Sequence, residues 1–237
     1  MKITYLHHSG FYINTGKNSF LIDFYQDVEK GFTESLIKND KSNIYILASH
    51  FHGDHFNKEI FNFKDVNPHI RYIFGSDIFK EKKAKYEDGQ FLSKGNTYSD
   101  GNIVIKAYGS TDSGISFYIE ADGYKIFHAG DLNNWHWKEE CDETESAGYE
   151  YAFHKELSEI KADNLNLDVT FFPVDPRLGK EYFKGPEEFI SNVKTRLFVP
   201  MHFGDKFDLA KAFEDVAMKY CDGFFVINKK GDSMEWK

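Results

Sequence analysis

Ile44-Tyr45-Ile46-Leu47-Ala48-Ser49-His50-Phe51-His52-Gly53-Asp54-His55 is the stretch whose reading decides the rest. It opens with a short apolar run, Ile44 to Ala48, that reads as a buried strand. Three histidines and an aspartate then fall within six residues. Neutral imidazole and carboxylate are the groups that Zn²⁺ and similar divalent ions take from proteins. Side chains alternate along a strand, so His50 and His52 can point the same way where it ends. Asp54 and His55 lie on the next turn and can face the same point from another side. One cluster can therefore serve two adjacent ions. The plain alternative, a solvated polar loop, loses ground to further ligand-type residues downstream.

Two later segments repeat the arrangement of an apolar strand with a ligand-type residue at its end. Tyr124 to His128 leads into Ala129-Gly130-Asp131, and Leu197-Phe198-Val199-Pro200 leads into Met201-His202-Phe203-Gly204. Asp131 alone reads as a turn residue and His202 alone as an ordinary loop histidine. With His50, His52, Asp54 and His55 they make six candidate ligands at three strand ends, where sites in α/β folds are usually found.

Composition narrows the class. The 237 residues suffice for one large domain or two small ones, and 41% are hydrophobic, enough for a core of ordinary size. Phe (24) and Tyr (14) are abundant, which suits packed sheets. A net charge of -9 with no basic run argues against nucleic-acid binding, which draws its affinity from Lys and Arg. No apolar stretch approaches the roughly 20 residues of a membrane span. Met1 to Gly10 lacks the pattern of a signal peptide, so the expected location is the cytoplasm. Cys141 and Cys221 are far apart and make no metal-binding pair, and a disulfide is not expected in that compartment.

Periodicity and turn residues give the coarse layout. Strands are predicted over 3–6, 11–14, 20–24, 44–48, 70–74, 103–107, 115–120, 124–128, 169–172 and 197–199. Helices are predicted over 58–63 with Asn57 as cap, 77–86, 187–194 behind Pro186, and 208–220. Residues 224–228 and 233–236 are predicted to close as a hairpin over Lys229 to Asp232. The acidic stretch near 135–165 reads as a helical insertion whose inner face draws on Tyr151, His154, Leu157 and Ile160. Two groups of strands with helices between them and no linker imply two sheets packed face to face, helices outside, in one domain spanning 1–237.

The pieces Leu21-Ile22-Asp23-Phe24-Tyr25, Ser49 to His55, His128 to Asp131 and Pro200 to Asp205 resemble, in that order, the metallo-β-lactamase-fold superfamily of metal-dependent hydrolases. The chain looks most similar to the branch with ascorbate-phosphate lactonases. The resemblance covers most of the chain and is weakest at 135–165. It implies a four-layer αββα sandwich of two mixed sheets, an enzyme, and one or two ions at the sheet edge, with Zn²⁺ expected and Mn²⁺ or Fe²⁺ as alternatives. By motif position, His50 and His52 match ligands of a first metal, Asp54, His55 and His202 those of a second, and Asp131 the bridging carboxylate.

One departure stands out. The family usually has another histidine after the strand that ends here at Ala107-Tyr108-Gly109, where this chain has Ser110-Thr111-Asp112-Ser113-Gly114. Asp112 is the expected substitute, with His128 and His136 as other candidates. His128 reads better as a supporting residue behind Asp131, and Asp23 as one that orients a ligand. His7 and His8 end the first strand, and one of them is expected to face the cleft. Trp135 and His136 are candidates for the pocket wall, and Arg177 for binding an anion, with a surface ion pair as its alternative.

The function these features imply is hydrolysis, with metal-bound hydroxide attacking an ester, lactone or phosphoester of a small anionic substrate and Asp54 in the catalytic role. Two rivals stay open. A di-iron oxidoreductase of the same superfamily typically has an acidic residue where His52 stands, which favours hydrolysis. A binding protein with a degenerate metal site is suggested by the missing histidine. The oligomeric state is not legible.

Overall fold

A computed structural model describes residues 1–237. Within Asn43–Ala48, Tyr45 and Leu47 belong to one apolar cluster and Ile44, Ile46 and Ala48 to another. Alternation thus gives this strand two apolar faces, and a sheet of such strands must be covered on both sides. The first sheet contains β1 (Lys2–His7), β2 (Gly10–Asn14), β3 (Asn18–Ile22), β4 (Asn43–Ala48), β5 (Arg71–Gly75) and β6 (Gln90–Leu92). The second contains β7 (Thr97–Ser99), β8 (Ile103–Tyr108), β9 (Ser116–Ala121), β10 (Tyr124–His128), β11 (Asn166–Pro173), β12 (Lys194–Met201) and β13 (Gly223–Phe224). A last strand, β14 (Ser233–Glu235), adds to the first sheet beside β1. The spatial orders are β14-β1-β2-β3-β4-β5-β6 and β13-β12-β11-β10-β9-β8-β7.

Both sheets are mixed and are packed through the larger cluster, where Tyr5, Phe11, Phe20 and Tyr45 of the first share a core with Phe117, Ile119 and Phe171 of the second. Each such fully buried side chain contributes roughly 1.5–3 kcal/mol. Helices cover the outsides. Ile37 of α1 (Phe32–Asn39) and Ile78 of α2 (Ser76–Lys80) pack on the first sheet. Phe153, Leu157 and Ile160 of α3 (Glu143–Ala162) and Phe189 and Ile190 of α4 (Lys184–Asn192) pack in the larger cluster, as do Ala210 of α5 (Phe207–Lys211) and Ala217 of α6 (Glu214–Ala217). The result is the αββα architecture that the sequence implies.

Strands β3 to β6 run parallel, and so do β10 to β13. β1 runs with β3 because both are antiparallel to β2. The carboxyl ends of β1, β3 and β4 therefore share one edge of their sheet, and those of β10 and β12 one edge of theirs.

Several local expectations are corrected. Residues 58–65 form a 3₁₀ helix, capped as expected by Asn57, which accepts from the Glu59 N–H. The helix expected to reach Tyr86 ends at Lys80, because Lys82 turns left-handed at φ 54. The helix expected over 208–220 is broken: Phe213 bonds back three residues to Ala210, and the freed Leu209 carbonyl accepts from the Tyr182 hydroxyl at 3.0 Å. In the long helix Tyr151 faces solvent at 73% exposure, and Phe153 takes the inward place beside Leu157 and Ile160. The closing hairpin does not form, since β13 joins β12 in one sheet and β14 joins β1 in the other. Both cysteines are free. No helix is long and apolar enough to cross a membrane.

Candidate metal centre

Five strand ends meet at one edge. His8 follows β1, Asp23 follows β3, His50 follows β4, Asp131 follows β10 and His202 follows β12. The Asp23 N–H donates to Leu47 O at 2.9 Å, the Ile115 N–H to Ser49 O at 3.2 Å, and the His202 N–H to His8 O at 3.1 Å. The last of these ties the two sheets together at the site. Close approach around Ser49 and Ile115 needs glycine. A Cβ on Gly114 would lie 2.2 Å from Ser49 O, and one on Gly130 2.8 Å from Ile115 O, and both residues have positive φ. His8, Asp23 and His202 are also left-handed, at φ 57, 49 and 63. Non-glycine residues in this region are strained, and such strain gathers at functional sites.

The side chains form two adjoining clusters. One contains His50, His52, Asp112 and Asp131, the other His8, Asp54, His55 and His202, and in each the possible donor atoms lie within 4.8 Å of one another. Asp131 stands between them. His50 Nε2 lies 3.3 Å from its Oδ2, while His55 Nε2 and His202 Nε2 lie 3.0 and 3.2 Å from its Oδ1.

The hydrogen bonds behind the rings fix the tautomers. His55 Nδ1 sits 2.8 Å from Asp23 Oδ2, and His202 Nδ1 2.9 Å from Asp175 Oδ2. A carboxylate only accepts, so both Nδ1 atoms carry the proton. Ser49 Oγ donates to Asp23 Oδ2 at 2.7 Å and so accepts from His50 Nδ1 at 2.9 Å. In the neutral rings, all three Nε2 atoms then present lone pairs to a carboxylate. His50 Nε2, His55 Nε2 and Asp131 Oδ1 are buried without a hydrogen-bond partner. Lone pairs facing oxygen in a dry site repel unless a cation lies among them, so the donor set fits divalent metal.

The titration behaviour has the same cause. Burial lowers the His202 pKa, but Asp131 and Asp175 outweigh it and raise it to about 9. His55 is likewise raised by Asp131 and Asp23 against burial. Burial raises Asp131, yet His202 and His55 hold it well below the carboxylate range. The site favours positive charge. His8 is different: burial, then the nearby His202 ring, lower it to about 4, so it is neutral at pH 7.

The other candidates fall into place around this centre. Asp112 Oδ2 lies 3.6 Å from His52 Nδ1, so the loop after β8 brings a carboxylate to the first cluster. His128 is buried, with Nε2 on Ser9 O at 3.0 Å and Nδ1 accepting from the Gly130 N–H at 3.2 Å, so it braces the loop before Asp131. His136 is fully buried, its Nε2 on Glu181 O and its Nδ1 accepting from the Lys138 N–H, so neither nitrogen is free for a ligand. That is a correction to its place on the pocket wall. Trp135 donates from Nε1 to Asp131 O at 2.8 Å and stands edge-on to His202. Arg177 forks onto Asp175, with its NH2 3.4 Å from His202 Nδ1, although its side chain is 62% exposed. It lines a cleft of about 470 Å³ with His8, His202, Asp205 and Lys206. Reasoning from sequence missed Asp175 as the partner of His202 and left His8 without a ligand role. The Asp two residues before Arg177 was in view, but its pairing with a residue 27 positions away was not.

Two mixed sheets, helices on both outsides and a histidine–aspartate centre at the sheet edge make up the metallo-β-lactamase fold. The chain belongs to the β-lactamase superfamily domain family, whose profile matches residues 2–148. A UPF0173 metal-dependent hydrolase of Alkaliphilus metalliredigens is 28% identical over 144 residues, covering 55% of this chain and 63% of that protein. Another from Symbiobacterium thermophilum is 24% identical over 216 residues, covering 86% and 84%. Among solved structures, Igni18, a metallo hydrolase of Ignicoccus hospitalis, is similar with TM-score 0.66 at 17% identity, covering 100% of this chain and 99% of that one. CmlA, a di-iron β-hydroxylase of Streptomyces venezuelae, shares the fold with TM-score 0.66 at 13% identity, covering 99% of this chain and 54% of that one.

Proposed function

We propose that the chain, as a single domain, hydrolyses an ester, lactone or phosphoester of a small anionic molecule, using one or two divalent ions. His50, His52, Asp112 and Asp131 would hold one ion, and Asp54, His55, His202 and Asp131 the other. The observation that carries this reading is the set of Nε2 lone pairs of His50, His55 and His202 aimed at the buried Asp131 carboxylate. When bound, divalent ions would polarise the substrate oxygen and make water nucleophilic near neutral pH. Each donor set pairs two imidazoles with two carboxylates, which suits Zn²⁺ and also accepts Mn²⁺ or Fe²⁺.

The chain's own groups supply the rest. Asp54 is 44% exposed, unlike Asp131, and so can meet a reacting molecule. A carboxylate there accepts a proton from the attacking water and can return it to the leaving group. Asp23, Ser49 and Asp175 hold the rings behind the centre in one tautomer. Arg177 and Lys206 line the cleft and give it cationic groups for an anion.

The test is elemental analysis of protein purified without a metal-binding tag, then assay on a panel of esters, lactones and phosphodiesters before and after chelation. The expected result is bound metal and a hydrolytic activity that chelation removes and metal restores. Protein that takes up no metal, or that loads with iron and consumes dioxygen without hydrolysing the panel, overturns the reading.

A further inference from the structure

We infer that His8 is a metal ligand, the third imidazole of a His8–Asp54–His55–His202 site that binds its ion more tightly than the neighbouring site does. This rests on the metal-dependent reading above. His8 Nε2 is buried and has no hydrogen-bond partner, and it lies 3.4 Å from Asp54 Oδ2. Its ring packs 4.0 Å from that of His202 and 5.6 Å from that of His55. The possible donor atoms of these four residues lie within 4.8 Å of one another, compact enough for bonds of about 2.0–2.2 Å to one ion.

The backbone is built to hold the ring there. His8 adopts φ 57, a conformation that a histidine adopts only at a cost. Its N–H donates to the Tyr5 hydroxyl at 2.9 Å, and its carbonyl accepts from the His202 N–H at 3.1 Å. His202 is itself left-handed, at φ 63. Two strained residues from different sheets are thus joined by a hydrogen bond while their rings touch. A packing residue would relax to an ordinary conformation, whereas a ligand pair is worth the strain.

Donor chemistry then separates the two sites. With His8, the second cluster has three imidazoles and one carboxylate of its own, against two of each in the first. Nitrogen-rich sets favour Zn²⁺ and Co²⁺, while oxygen-rich sets accept Mn²⁺ and Fe²⁺. The burial differs in the same sense: His55 and His202 are almost wholly enclosed, while His52 and Asp112 are open to solvent.

The experiment is Co²⁺ titration of the metal-free full chain, wild type against His8→Asn, read by visible absorption and by competition with a chromophoric chelator. Asparagine tolerates left-handed φ, so the variant removes the imidazole and keeps the turn. The expected result is at least a tenfold loss of affinity in the tighter step, an altered Co²⁺ spectrum, an unchanged weaker step, and a metal-free variant that unfolds no lower than wild type. In Co²⁺-loaded wild type labelled with ¹⁵N-histidine, the His8 ring nitrogen should carry a contact shift as large as those of His55 and His202, beyond the through-space shift that proximity alone gives, which decides the matter even if the variant misfolds. Unchanged affinity and spectrum, or a His8 nitrogen with no more than the through-space shift in protein that does bind Co²⁺, overturn the assignment of His8 alone. Wild-type protein that binds no Co²⁺ overturns the metal reading with it.

Discussion

Asp23 Oδ2 and His55 Nδ1 are 2.8 Å apart, and neither side chain has any solvent exposure. The same oxygen takes the Ser49 hydroxyl at 2.7 Å, so one carboxylate sets the tautomer of His55 directly and of His50 through Ser49. An Asp23→Asn protein can turn its amide N–H toward His55 Nδ1, which drives the ring proton to Nε2 and removes that donor. Metal affinity should fall about 10–100-fold, the usual size for a partner behind a ligand. Chelator competition measures it, and an affinity equal to wild type would contradict the tautomer argument.

Asp112 is 51% exposed and reaches His52 from the loop after β8. As a solvated carboxylate in place of an imidazole it should make the weaker of two sites. Calorimetric titration of metal into metal-free protein should show two unequal steps. Asp112→Ala should remove the weaker step and leave the stronger, and Asp112→His should tighten the weaker one. Two equally tight steps in wild type would mean that Asp112 fully replaces the histidine.

Much of the centre was legible because its information is local. His50, His52, Asp54 and His55 sit at fixed spacing behind an apolar run, and Asp131 and His202 follow strands of the same kind. His8 was not legible as a ligand, because its role depends on a positive φ and on the ring of His202, far away in the chain. The chain end misled for the same reason. Lys229 to Asp232 carry turn residues, and Gly231 does turn at φ 84. Yet β14 pairs with β1 and β13 with β12, and no local pattern reveals partners so distant in the chain. The long helix was legible as a helix but not in its facing, where Phe153 takes the inner place assigned to Tyr151 and His154.

Gly114 carries the Ser49–His50 segment against the loop that contains Asp112. A Cβ there would sit 2.2 Å from Ser49 O and 2.4 Å from His50 Cβ, at φ +69. Gly114→Ala should therefore destabilise the fold by about 2–4 kcal/mol, since both backbone strain and overlap oppose it. Thermal unfolding of metal-free protein checks this, and a midpoint equal to wild type would show that the loop yields freely.

At the opposite end of the first sheet, Asp40 accepts from Ser19 Oγ at 2.6 Å, Tyr12 OH at 2.8 Å and Asn14 Nδ2 at 3.0 Å, all at Oδ2, while the Ser42 N–H donates to Oδ1 at 2.8 Å. Burial pushes its pKa up, but these donors outweigh burial and hold it at about 2, below the ordinary 3.8. A depressed carboxyl stabilises the fold above its unfolded pKa, and that contribution is lost as pH falls from about 4 toward 2. Asp40→Asn should lower stability at neutral pH and flatten its decline over that window. Urea unfolding followed against pH is the measurement. A wild-type slope retained in the variant would assign the acid sensitivity to other groups.

His52 and Asp54 are both partly exposed at the centre, and their substitutions should separate holding metal from moving protons. His52 offers one imidazole to the first cluster and no carboxylate. His52→Ala should therefore lower metal content and hydrolysis together, and added metal should restore part of both. Asp54 adjoins His8 and faces the second cluster, where the nearby His8 ring, ahead of His55, holds its carboxyl below the usual range against burial. It is ionised at neutral pH and able to accept a proton. Asp54→Asn keeps the size and one ligating oxygen but loses the charge that accepts the proton. Turnover should fall at least tenfold further than metal content does, with the loss in kcat rather than in KM. Metal analysis and kinetics on the same preparation give both numbers. An Asp54→Asn protein that keeps its metal and turns over at the wild-type rate would remove Asp54 from the chemistry and leave it as a ligand.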